Sequence, residues 1–189
     1  MKKFAFIIPV LIVLTAFGTV NLWNNDDAHS QLGFTVKHMG IADISGTFND
    51  FDVTINSSKS DFSDAEFELT ARVASIDTRV TARDNHLKSA DFFDAEQYPI
   101  IHFKTTSIKK KGKNKYNLKG DLTMHGITKP VTMKLKYNGT VVDEKTKNQT
   151  AGFQLTGTIK RSDFNIGSGF PAPMISDEVR IKADGEFKK

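Results

Sequence analysis

The regular alternation of apolar and polar residues is the feature that most limits how this chain can fold. It is clearest where Phe67, Leu69 and Ala71 alternate with charged and hydroxyl-bearing side chains. Because successive side chains of a β-strand point to opposite faces, this period of two predicts strands with one buried face. The pattern recurs and predicts about eight strands, which contain residues 34–36, 51–55, 67–73, 101–103, 116–124, 131–137, 153–159 and 179–183.

Short turns rich in Gly, Asn or Asp join most of these segments, which favours antiparallel pairing. Only residues 78–99 break the alternation; Thr78 and Thr81 are candidate N-caps there, and Tyr98-Pro99 ends the stretch. The sequence therefore predicts an all-β fold with a short helical insertion between strands 3 and 4.

An eight-stranded antiparallel sheet hides its edges either by closing into a barrel or by folding into a sandwich. A barrel of this size is either filled by side chains or wide enough for one small ligand. Small residues occur on the predicted inward face at Ala71, Gly120, Gly157 and Ala183. They indicate either empty space in the lumen or bends at barrel corners, and the composition does not distinguish the two.

The N-terminus has the layout of a secretory signal peptide. Lys2 and Lys3 precede an apolar run from Phe4 to Phe17, and small residues precede a cleavage site after Gly18. The run is shorter than the ~20 residues of a membrane-spanning helix. We predict a signal peptide over 1–18 and export to the periplasm or medium, with an uncleaved anchor as the alternative.

Charge and cysteine content exclude several classes. The whole chain carries 26 basic and 22 acidic side chains. This balance lacks the strongly basic footprint of a nucleic-acid-binding domain, so we expect no nucleic-acid partner. The chain contains no cysteine, so disulfides and lipidation on cysteine are excluded.

Several longer motifs follow one another in a fixed order. They read FTVKHM at 34–39, GTFNDF at 46–51, RDNHLKSADFFD at 83–94, YPIIHF at 98–103, GDLTMHGITKPV at 120–131 and IKRSDF at 159–164. In this combination the chain resembles the YceI-like family of bacterial lipid-binding and polyisoprenoid-binding proteins, over nearly all of residues 23–187.

The resemblance implies an extended, lipocalin-like, eight-stranded antiparallel barrel formed by residues 19–189. Its lumen would hold a long isoprenoid-type lipid, either a polyprenyl phosphate or a quinone tail, and no other cofactor is expected. The protein would act as a periplasmic carrier or sequestering protein. Family members are often dimeric, so a homodimer is a further expectation.

Such a lumen requires a wall of apolar side chains. The residues predicted to form it are Phe34, Val36, Phe67, Leu69, Phe103, Leu122, Met133, Leu135, Phe153 and Leu155. For each of them, ordinary barrel core is the alternative interpretation.

For the lipid head group we predict His29, Ser30, Arg83, Asp84 and His86. Arginine can bind a phosphate through two parallel hydrogen bonds, and His and Ser add donors. Alternatively, Arg83 and Asp84 tie the helical insertion to the barrel, and Arg161 and Asp163 do the same elsewhere.

Other chemistry has little support in the sequence. The five histidines show no metal-ligand spacing, so no metal site is predicted. No catalytic motif is present, so we expect no enzyme activity. Two alternatives stay open: a solid-cored interaction module, and an enzyme or redox accessory that uses His86 and Asp84.

A lysine cluster marks one predicted hairpin. It consists of Lys109, Lys110, Lys111, Lys113 and Lys115. It fits either a solvated turn or a peripheral contact with anionic lipid.

Overall fold

The computed structural model describes residues 20–189. The predicted signal peptide, residues 1–18, lies outside them. Among the described residues no helix is long and apolar enough to span a membrane.

The described chain is built from strands, one α-helix and three short 3-10 turns. The strands are β1 (Asn21–Asn25), β2 (Gln31–His38), β3 (Ala42–Phe48), β4 (Phe51–Ser57), β5 (Glu66–Arg72), β6 (Ile76–Asp77), β7 (Ile100–Gly112), β8 (Lys115–Met124), β9 (Ile127–Val142), β10 (Gln149–Lys160) and β11 (Glu178–Lys188). The helix α1 spans Thr81–Lys88, and the 3-10 turns span Asp27–His29, Val73–Ser75 and Arg161–Phe164.

The sheet closes into a barrel. Eight strands form the ring β1-β4-β5-β7-β8-β9-β10-β11, and β1 pairs with β11 at Asn24↔Lys188 to complete it. Beyond β11 the sheet continues through β2, β3 and β6. Every pairing is antiparallel. This confirms the strands predicted from the alternation and the closed eight-stranded antiparallel barrel that the family resemblance implied.

Three of the barrel's long strands are interrupted. A 3-10 turn separates β1 from β2, residues 49–50 separate β3 from β4, and a second 3-10 turn separates β5 from β6. The two segments of each pair have different neighbours, except that β1 and β2 both pair with β11. These interruptions matter because the wall of the barrel is not continuous where they lie side by side.

The helix lies between residues 73 and 101, but its predicted place between strands 3 and 4 is not confirmed. The helix follows the sixth strand segment rather than lying between strands 3 and 4. Three of the six segments before the helix were not counted: β1 consists mostly of asparagine, β6 has only two residues, and Gly46 interrupts the apolar positions of β3. Neither Thr78 nor Thr81 is the N-cap; Val80 occupies that position without a side-chain hydrogen bond.

Aromatic side chains close the barrel at both ends. At the end that carries the β7–β8 and β9–β10 hairpins, which we call the hairpin end, the Phe62 ring packs 5.3 Å from Trp23 and 4.9 Å from Phe153. At the opposite end, which contains α1 and is called the helix end, the rings of Phe48 and Phe93 lie 5.9 Å apart. The space between these two closures is the lumen.

Candidate functional site

An apolar cavity occupies the middle of the lumen. Its wall is formed mainly by inward-facing side chains of the barrel strands. Nine of the ten predicted wall residues line it: Phe34, Phe67, Leu69, Phe103, Leu122, Met133, Leu135, Phe153 and Leu155. Val36 does not, because it lies two residues farther towards the helix end, past Phe34 and Phe48.

Sequence reasoning missed other wall residues. These are chiefly Phe48, Phe51, Val53, Ile101, Leu118, Met124, Ile159, Ile181, Ala183 and Phe187. Most belong to the alternating segments that predicted the strands, so the inward register would have identified them. The alternation shows which residues face inward, but it does not show how far along the barrel axis the cavity lies.

The small inward residues have two different roles. A side chain on Gly120 would overlap the ring of Phe103, and one on Gly157 would overlap the sulfur of Met133. These two glycines therefore make room for larger neighbours. Ala183 instead lines the cavity directly, so its small side chain leaves space in the lumen.

The cavity is narrow. It encloses about 140 Å³, close to the ~150 Å³ of an apolar cavity that accepts one benzene molecule. Pockets for larger ligands usually measure roughly 300–1,000 Å³. A long chain would therefore have to displace side chains or extend out of the cavity. Met133 in the wall is well suited to such movement, because methionine is unbranched and flexible.

The cavity adjoins an opening in the side of the barrel. This second space, of about 340 Å³, shares Ser30, Leu32 and Phe51 with the cavity wall. It lies where the β1–β2 interruption faces the β3–β4 interruption. Pairing of β1 with β4 stops at Asn24↔Thr54, and pairing of β2 with β3 starts at Leu32↔Phe48. We call this opening the lateral mouth.

The lateral mouth is acidic. Asp27, Asp50 and Asp52 line it, and Asp50 is paired with Arg72 at 3.0 Å. No lysine or arginine within residues 20–189 lines either the mouth or the cavity. An anionic head group at the mouth would therefore meet charges of its own sign and no basic side chain that could bind it.

Asp26 and His29 lie next to the mouth. His29 Nδ1 is 2.8 Å from Asp26 Oδ2, and Lys188 also binds this carboxylate. Hydrogen bonds from Lys188 and then His29 lower the pKa of Asp26 to about 2. Asp26, His29 and Glu186 form the one group in the described part of the chain whose ligand atoms could surround a metal. The Lys188 ammonium and His29 already bind the Asp26 carboxylate.

The predicted head-group residues separate into two places. Ser30 lines both the cavity and the mouth, with His29 beside it. Arg83, Asp84 and His86 lie at the helix end and line neither space.

The three residues at the helix end bind their own surroundings. Arg83 donates to the hydroxyl and carbonyl oxygens of Thr78, and Asp84 accepts from the Thr78 backbone N–H at 2.8 Å. His86 is 3.1 Å from Asp91. This geometry supports the alternative in which Arg83 and Asp84 tie the insertion to the barrel, and it brings no His86–Asp84 pair together.

The loop that closes the hairpin end depends on an ionised carboxylate. Asp64 accepts hydrogen bonds from the Ser57 hydroxyl and the Ser58 backbone N–H, which hold the loop containing Phe62. Burial raises the pKa of Asp64, but these hydrogen bonds outweigh burial and bring it to about 2 from 3.8.

This depressed pKa predicts acid sensitivity. The stabilisation is fully present above the unfolded pKa and is lost as the pH falls through the folded value. Near neutral pH we expect the free energy of unfolding of Asp64→Asn to be about 1–2 kcal/mol lower than that of the wild type. In urea titrations this difference should shrink between pH 4 and 2, whereas a difference independent of pH would contradict the assignment.

Comparison with known proteins gives a consistent result. The model of the YceI-like domain family matches residues 23–187. Protein YceI of Escherichia coli O6:H1 is 38% identical over 166 residues, which cover 88% of this chain and 86% of that protein. A UPF0312 protein of Photorhabdus laumondii is 35% identical over 161 residues, covering 85% and 83%.

Solved structures agree on the fold. BcnA of Burkholderia cenocepacia superposes with a TM-score of 0.76 at 28% identity, covering 86% of this chain and 98% of that one. A polyisoprenoid binding domain from Saccharophagus degradans superposes with a TM-score of 0.65 at 14% identity, covering 89% and 98%. The second likeness concerns the fold alone.

Proposed function

The chain belongs to the YceI-like family, and from this premise we propose that it binds a long isoprenoid-type lipid in the barrel lumen. The observation that carries the proposal is the apolar cavity between two aromatic closures, opening at the lateral mouth. The name of the Saccharophagus degradans domain, which has the same fold, points to the same ligand class.

The tail of the lipid would occupy the cavity. Each buried methylene group contributes ~0.8 kcal/mol, so a few isoprene units supply substantial binding energy. Ordering the flexible chain and moving wall side chains offset part of this gain. Because the cavity encloses only about 140 Å³, the remainder of a long chain would lie in a widened lumen or in the mouth.

The head group would lie at the lateral mouth, near Ser30. The carboxylates of Asp27 and Asp52 make no ion pair among the described residues, so they would repel a phosphate placed there. A neutral ring that accepts hydrogen bonds meets no such penalty. Of the two expected ligands, we therefore favour the quinone over the polyprenyl phosphate.

The proposed role is that of a carrier or sequestering protein in the periplasm or medium. It combines the predicted signal peptide with a binding site that shields an insoluble chain from water. Sequestration requires no catalytic group, and the lumen wall presents chiefly apolar side chains.

The test is direct. The protein is purified from a bacterial host, its lipids are extracted and identified by mass spectrometry, and delipidated protein is titrated with ubiquinone and with a polyprenyl phosphate of equal chain length. We expect about one prenyl chain per protein and tighter binding of the quinone. Protein that is recovered empty and takes up neither lipid would overturn the proposal.

A further inference from the structure

The outer surface of strands β7–β9 carries an unusual concentration of positive charge. We call it the lysine face. It comprises seven exposed lysines: Lys109, Lys111, Lys113, Lys115, Lys119, Lys134 and Lys136. Within residues 20–189, none of the seven makes an ion pair. Only their neighbour Lys110 is paired, with Asp61 at 2.8 Å.

The strand register concentrates these charges. Lys115 lies directly opposite Lys136, and Asn117 lies between Lys109 and Lys134 on the two flanking strands. Like charges opposite each other destabilise a sheet, so folding gives no reason for this arrangement. A surface of this kind lowers its free energy by meeting an anionic partner.

The opposite wall of the barrel carries the opposite charge. In the ring of eight strands, β8 lies four strands from β1 in either direction. The acidic lateral mouth lies where the β1–β2 strand and the β3–β4 strand are interrupted, with Asp27, Asp50 and Asp52. The protein is therefore electrostatically asymmetric, and an anionic surface would attract the lysine face and repel the mouth.

One exposed apolar side chain lies on the outer side of β9 beyond the lysine face, towards the hairpin end. Val141 is 72% exposed and lies on the same strand as Lys134 and Lys136. Its partner Thr150 precedes the buried Ala151, so Val141 points outward as these lysines do. Lysines and an exposed valine on one outer surface match the two layers of an anionic bilayer surface, the charged head groups and the acyl boundary below them. A soluble polyanion would use the lysines alone.

We propose that the lysine face docks the barrel onto an anionic lipid bilayer, with the lateral mouth turned away from the membrane. This inference rests on charge and register and is independent of the lipid in the lumen. Docking weakens as salt rises, because the lysines are exposed.

The first experiment measures cosedimentation of the full chain with vesicles. Vesicles of phosphatidylcholine alone are compared with vesicles that also contain phosphatidylglycerol. The face variant combines Lys115→Gln, Lys134→Gln and Lys136→Gln. The control variant combines Lys59→Gln, Lys129→Gln and Lys160→Gln, which removes the same charge from exposed lysines elsewhere. All proteins share the same N-terminus, so its contribution cancels.

We expect binding only to the anionic vesicles, with the face variant weakened at least about tenfold and the control variant much less. Equal losses in both variants would overturn the proposal, and so would equal binding to neutral vesicles. Dependence on Val141 separates a bilayer from a soluble polyanion. If Val141→Asn does not change vesicle binding, and heparin competes fully, the bilayer is the wrong partner.

The second experiment tests the orientation. The chain has no cysteine, so a single environment-sensitive fluorophore can be attached at Val141→Cys or at Asp52→Cys. Anionic vesicles should shift the emission of the Val141 probe to shorter wavelength and leave the Asp52 probe unchanged. A shift at Asp52 alone would overturn the proposed orientation.

Discussion

Protein carrying Ala183→Phe should be recovered folded but without lipid. Ala183 lines the cavity and lies opposite Leu32 on β2 and Leu155 on β10. The added ring is about as large as the benzene molecule that an apolar cavity of ~150 Å³ accepts. It would therefore occupy most of the 140 Å³ available. We expect the bound lipid and the uptake of ubiquinone to fall at least about tenfold, since a tenfold loss corresponds to only ~1.4 kcal/mol.

Stability must be measured on the same sample, because overpacking a core typically costs about 1–3 kcal/mol. The matched control is Ala42→Phe, an exposed position in β3, which should leave lipid binding unchanged. If Ala183→Phe retains its full complement of lipid, the ligand does not use this cavity.

Replacing Arg161 should have the largest effect on folding. Its guanidinium is buried and donates to five backbone carbonyl oxygens, those of Ile166, Gly167, Phe170, Ile175 and Ser176. An arginine has five N–H donors, so every donor finds an acceptor. The side chain thus fixes the segment that covers the helix end of the barrel.

Arg161→Met keeps much of the length and removes all donors, leaving these carbonyl groups without their partner. We expect the free energy of unfolding to fall by about 3–5 kcal/mol in urea titrations. Arg161→Lys should rescue little, because a lysine places its donors at one point.

The control for Arg161 is Arg180→Met. Arg180 is exposed and pairs with Asp43 at 2.6 Å, and surface pairs of this kind contribute little. An Arg161→Met protein as stable as Arg180→Met would show that water replaces the lost donors without cost.

The predictions from sequence succeeded where a local pattern is compatible with only one local structure. Alternation around Phe67 or Phe153 requires an inward face, and both side chains line the cavity. The family motifs then indicated a closed barrel, which the pairing of β1 with β11 confirms. The head-group prediction for Arg83 relied on residue type, which does not reveal that Thr78 already accepts its hydrogen bonds.

By itself, the sequence determined the β-architecture, the inward register and about half of the apolar wall, because these follow from a period of two within single strands. Only the tertiary structure decided where the wall opens and which charges surround the opening. The lateral mouth exists because two interruptions far apart in sequence lie side by side in the sheet. The lysine face likewise depends on Lys134 and Lys136 joining the 109–115 cluster across β8. Contacts between segments that are far apart in the sequence leave no local pattern from which they could be predicted.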